Sequence, residues 1–164
     1  MIYDFNAEEI FAMAEQIERN GSRFYKDAAA SVSDPKSREL LLGLAGMEDE
    51  HEKTFQALRT QLTEKDRQST VFDPDGEATL YLKALADTRV FFEKEIDISS
   101  MVGILKAAIA AEKDSIVFYL GMREAVPAGL GKQRIDGIIK EEMHHIRILS
   151  RELVALRRIN ETSI

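Results

Sequence analysis

The sequence predicts an all-α fold, a four-helix bundle built from two helical hairpins. Three observations predict it. Helix formers (Ala, Leu, Glu, Lys, Arg, Met) dominate, with only 3 Pro and no Trp. Four long segments each keep an apolar seam at alternating steps of three and four, the spacing of one buried helix face. The second half then repeats the polar interruptions of the first. Glu18, Phe24-Tyr25, Glu48 and His51 recur 94 positions later as Glu112, Phe118-Tyr119, Glu142 and His145.

The elements follow from start and stop signals. The first helix is expected over about 7–31, with Asn6 as N-cap and Glu9 completing a capping-box-like pair. Asp34-Pro35 restarts the chain, Asp as cap and Pro at the first helical position, for a second helix to about 62. The third long helix follows Ser99-Ser100, over about 100–126, and stops at Pro127. The fourth begins near Gly129–Lys132 and spans about 131–158. Residues 63–99 form a connector. Asp73-Pro74-Asp75-Gly76 is a turn signal, Glu77–Asp87 reads as a shorter helix, and Arg89–Ile98 reads as a loop. A connector of this length can return the chain along the bundle, as in bundles with one crossover. Neither hairpin could bury its apolar face alone, so the whole chain, 1–164, is read as a single domain.

Composition narrows the function. A net charge of -7 argues against nucleic acid, whose phosphates attract basic surfaces. With no Cys, the chain has no disulfide, Cys zinc site, iron–sulfur cluster or thiol nucleophile. Residues 1–9 lack the basic-then-apolar layout of a signal peptide. No apolar run approaches the roughly 20 residues of a membrane span. A cytoplasmic protein that binds neither membrane nor nucleic acid is the expectation.

The seams locate the chemistry. They read Phe11, Ala14, Glu18, Gly21, Tyr25, Ala28, Val32 in the first helix, and Leu41, Leu44, Glu48, His51, Phe55, Leu58, Leu62 in the second. The third reads Leu105, Ala108, Glu112, Ser115, Tyr119, Met122, Val126. The fourth reads Ile135, Ile138, Glu142, His145, Leu149, Leu153, Leu156 after a one-position slip. Each stripe is apolar except near its middle. Glu18 and Glu48 each lie 15 residues from the turn near residue 33, about 22 Å at 1.5 Å per residue, so they meet at one level. Glu112 and Glu142 do the same about Pro127. Burying four carboxylates uncompensated costs too much. Two divalent cations would balance them and leave neutral His51 and His145 to complete the coordination. Oxygen with some imidazole nitrogen suits bridged pairs of iron or manganese, with zinc an open alternative.

Neighbouring residues carry two readings each. Tyr25 and Tyr119 are core aromatics, or their hydroxyls hold ligand carboxylates in place. Gly21 and Ser115 leave room for a small oxidant, or simply allow close packing. Glu141 and His144 lie one residue off the stripe, rotated by roughly 100°, and read as a flank or surface pair. Glu15 lies beside the stripe, a rim residue able to manage protons.

With these residues in hand, the chain resembles the ferritin-like di-iron carboxylate superfamily, and within it rubrerythrin-like proteins. The resemblance rests on Glu18…Phe24-Tyr25, Glu48-x-x-His51, Glu112…Phe118-Tyr119 and Glu141-Glu142-x-x-His145, and covers all four long helices. It implies Glu18 and His51 as terminal ligands of one iron, Glu112 and His145 of the other, and Glu48 and Glu142 as bridges. Two departures stand out. The Cys-rich rubredoxin domain of rubrerythrins is missing, and their extra Glu on the third long helix is here Ser115. The remaining four-Glu, two-His set is similar to the symmetric ferroxidase site of bacterioferritin-type proteins.

Three functions are open to such a chain. It would be an oxidoreductase that reacts with hydrogen peroxide or dioxygen and is re-reduced by an external electron-donor protein. It would alternatively be a ferroxidase or iron-storage protein, or a bundle held together by a structural metal. Side-by-side pairing into a homodimer is expected from the acidic, Leu-rich connector.

Overall fold

The computed structural model describes residues 6–66, 76–87, 98–126 and 128–163. Among them every regular element is helical: α1 (Ala7–Ser31), α2 (Pro35–Thr60), α3 (Glu77–Asp87), α4 (Met101–Ala125) and α5 (Lys132–Thr162), with a 3₁₀ turn at Ala128–Leu130. The fold is all-α, as the periodicity predicts. Residues 73–75 of the expected turn and 89–97 of the expected loop lie outside the described residues.

The helix starts are set by their caps. The Asn6 side chain accepts from the Glu9 backbone N–H at 2.9 Å, and Asp34 accepts from that of Ser37 at 2.9 Å, with Pro35 in the first turn. Ser100 accepts from Gly103 at 3.0 Å. Each satisfies a backbone donor that the first helical turn leaves unpaired, typically worth about 1 kcal/mol. Gly131 starts α5 at φ 104°, a left-handed conformation, and a Cβ there would also sit 2.6 Å from the Leu58 side chain. α5 runs four residues past the expected end near 158, because nothing between Ser150 and Thr162 is Gly or Pro.

α1 pairs with α2 and α4 with α5, and α3 lies against α4. Leu82 of α3 is fully buried, and the Tyr81 hydroxyl donates to the Val117 carbonyl at 3.0 Å. Gly121 permits this close approach, since a Cβ there would lie 2.5 Å from the Tyr81 ring. The core is split in two. One apolar cluster gathers Ile10, Phe11, Phe55, Leu58, Met122 and Ile135. The other gathers Ala28, Leu41, Leu44, Leu105, Ala108 and Leu149. In every long helix the Glu and His positions lie between residues of the first cluster and residues of the second. The apolar ends, at roughly 1.5–3 kcal/mol per large buried side chain, hold the polar layer shut.

Candidate metal centre

The layer gathers Glu18 from α1, Glu48 and His51 from α2, Glu112 from α4, and Glu142 and His145 from α5. All six are 0–4 % exposed. His51 Nδ1 lies 2.8 Å from Glu142 Oε1, 3.5 Å from Glu18 Oε2 and 3.7 Å from Glu48 Oε2. His145 Nδ1 lies 3.0 Å from Glu142 Oε2, 3.2 Å from Glu48 Oε1 and 3.5 Å from Glu112 Oε1. The imidazoles stack nearly parallel, centroids 5.6 Å apart and planes 17° from one another. Two overlapping groups result, Glu18–Glu48–His51–Glu142 and Glu48–Glu112–Glu142–His145, with the donor atoms of each within 4.8 Å of one another. Glu48 and Glu142 belong to both.

These donors fit a pair of cations. Glu48 Oε1, His51 Nδ1, both Glu142 oxygens and His145 Nδ1 are buried without a directed hydrogen bond, although the ion-pair distances bring them close. Such orphaned atoms are rare in a folded interior. Converging oxygen and nitrogen atoms of this kind are what coordination requires, once the imidazole protons have left.

The buried groups of the layer shift one another's protonation. Burial pushes Glu18 and Glu112 well above the usual carboxylate range, against the lowering influence of His51 and His145 respectively. Burial acts the same way on Glu48 and Glu142, but there the neighbouring Glu and His side chains prevail and hold both below the usual range. Burial works against charge on the imidazoles too. Even so, Glu142, Glu18 and Glu48 raise His51 far above its usual value, and Glu112, Glu142 and Glu48 push His145 up to about 12. The opposed shifts of the carboxyls and the raised imidazoles reduce the charge repulsion of the layer, and two divalent cations would cancel the charge of four carboxylates. Protons and cations compete for the same atoms.

The tyrosines cross between hairpins. The Tyr25 hydroxyl of α1 donates to Glu112 Oε1 of α4 at 2.5 Å, and the Tyr119 hydroxyl of α4 donates to Glu18 Oε1 of α1. Burial, then the adjoining carboxylates, push both phenols well above their usual value, so each remains a donor.

No family model and no curated protein matches the chain by sequence. A solved structure does match. It is a provisionally assigned ferritin-like diiron-carboxylate protein from Thermotoga maritima, superimposing with a TM-score of 0.67 over 90% of this chain and 94% of that one, at 22% identity. The fold is ferritin-like.

Within the ferritin-like bundle, residues at the rim behave less uniformly. Glu15 belongs to neither four-residue group, and its Oε1 lies 3.2 Å from Arg59 Nε. Burial still raises its pKa, with Arg59 and Arg19 opposing. Ser115 donates to the Ala111 carbonyl of its own helix at 3.1 Å. A Cβ on Gly21 would meet Glu48 at 3.5 Å, ordinary contact, so Glu48 packs against α1 without requiring a glycine there. His144 is exposed. Glu141 is also on the flank, 63% exposed, yet its Oε2 lies 2.5 Å from His51 Nε2. Its counterpart 94 positions earlier is Met47, whose Sδ lies 3.2 Å from His145 Nε2. Sequence reading missed both contacts. The available signal was position: each immediately precedes a shared Glu.

Proposed function

We propose that the chain is a di-iron oxidoreductase that reacts with hydrogen peroxide or dioxygen and is re-reduced by an external electron-donor protein. The observation that carries this reading is the pair of four-residue groups sharing Glu48 and Glu142 in a buried layer. Glu18 and His51 would complete one metal position, and Glu112 and His145 the other. Two iron ions, when bound there, supply the two electrons that reduce the oxidant. The protein's own contributions are spatial. Glu48 and Glu142 hold the two positions together. His51 and His145 present Nδ1 to the centre while Nε2 faces outward. Tyr25 and Tyr119 donate hydrogen bonds that fix Glu112 and Glu18 in place. The apolar clusters above and below exclude water.

Ferroxidase chemistry, with iron(II) itself as substrate, is a second reading. It is favoured by the symmetric six-side-chain set, in which Ser115 turns its hydroxyl to its own helix and adds no fifth carboxylate. One experiment addresses both. Iron(II) is loaded without oxygen, with two ions expected per chain, and its oxidation is timed after adding peroxide or dioxygen. Rapid oxidation by peroxide with re-reduction by a donor supports the first reading; rapid turnover of excess iron(II) under dioxygen, in a large closed assembly, supports the second. An iron centre oxidised quickly by neither refutes both.

A further inference from the structure

The two halves of the centre match in their inner residues and differ in what stands behind each imidazole. For Nδ1 to offer a lone pair inward, the ring proton must sit on Nε2. On His51 that proton meets a carboxylate, Glu141 Oε2 at 2.5 Å. On His145 it meets a thioether, Met47 Sδ at 3.2 Å. The two partners occupy equivalent places in the repeat, each one residue before a shared Glu, on α5 and α2 respectively. A carboxylate is a strong, charged acceptor, whereas thioether sulfur is a weak one. A carboxylate behind an imidazole locks its orientation and makes its inward nitrogen a stronger donor.

We propose that Glu141 and Met47 make the two metal positions unequal, so that the Glu18–His51 half binds a divalent ion more tightly and fills first. Glu141 and Met47 are positioning residues that act through the imidazoles. The inference rests on the six side chains forming a dinuclear centre. Removing such an outer partner typically costs 10–100-fold in metal affinity. Glu141 is 63% exposed and screened by solvent, so a separation of about tenfold between the two steps is expected.

The test uses cobalt(II), titrated without oxygen into the full chain and followed by its visible absorption. Two steps about tenfold apart are expected. Glu141→Met should bring the steps within about threefold by weakening the first, and Met47→Glu should do the same by strengthening the second. Glu141→Gln, which keeps a neutral acceptor, should fall between native and Glu141→Met. His51→Ala should abolish the tighter step and His145→Ala the weaker one. Two equal steps in the native chain, a separation unmoved by Glu141→Met and Met47→Glu, or loss of the weaker step in His51→Ala would each overturn the inference. Failure to bind any cobalt would instead overturn the dinuclear reading itself. Helical circular dichroism identifies any variant that fails to fold, and the Met47 and Glu141 variants test the idea independently.

Discussion

Tyr25→Phe should weaken the half of the centre that Tyr25 does not share a helix with. The ring is 2% exposed and sits in the core, and the substitution leaves the ring in place. What is lost is the 2.5 Å donation to Glu112 Oε1. Glu112 is 4% exposed and therefore gains no water in exchange. Leaving a buried acceptor unsatisfied costs about 1–3 kcal/mol, more at a charged group. Carried into metal binding, a loss of 10–100-fold corresponds to about 1.4–2.7 kcal/mol. The assay is a pair of double-mutant cycles, read by denaturant unfolding of the metal-free chain and by cobalt(II) affinity. Tyr25→Phe combined with Glu112→Gln should show coupling above about 1 kcal/mol, because both remove one interaction. Combined with Glu18→Gln, coupling should stay below about 0.5 kcal/mol. Tyr119→Phe should show the reverse pattern, since its hydroxyl donates to Glu18. Coupling of Tyr25 to Glu18, its neighbour on α1, and none to Glu112 would refute the crossed arrangement.

Three further outcomes follow from the same geometry. Metal loading near neutral pH should release protons, because His51, His145, Glu18 and Glu112 all have raised pKa values and must deprotonate to coordinate; apparent affinity should therefore rise with pH, as measured by proton uptake or release in weak buffer. Glu142→Ala should be the most damaging carboxylate substitution. It removes a member of both four-residue groups and strips a partner from both imidazoles, so unfolding of the metal-free chain should become easier by about 3–5 kcal/mol and binding of either ion should collapse. Gly121→Ala should push α3 off α4, where the added Cβ would meet the Tyr81 ring; a loss of about 1–3 kcal/mol and faster amide exchange in 77–87 are expected, with the metal layer unaltered.

Much of the fold was legible in the residues. A step of three and four defines a helix face, and four such faces with Asn6, Asp34-Pro35 and Ser100 at their starts define four long helices. The 94-residue echo and the equal arms from Glu18 and Glu48 to their turn bring six polar side chains to one height, because rise per residue is constant. Which faces are buried, and at what level charge enters the core, is thus written in spacing alone. Who meets whom across the bundle is not. Periodicity places Tyr25 on the stripe of Glu18 but cannot show that its hydroxyl crosses to Glu112. It sets Glu141 off the stripe, on the flank, yet the carboxylate reaches His51. It leaves Glu15 beside the ligand layer, and the partner turns out to be Arg59. Such pairings depend on the distance between helices, their crossing angles and the rotamer of each side chain, all set when the hairpins close on each other. The sequence by itself therefore determined the fold class and the polar layer, and the tertiary structure decided the pairings that make its two halves unlike.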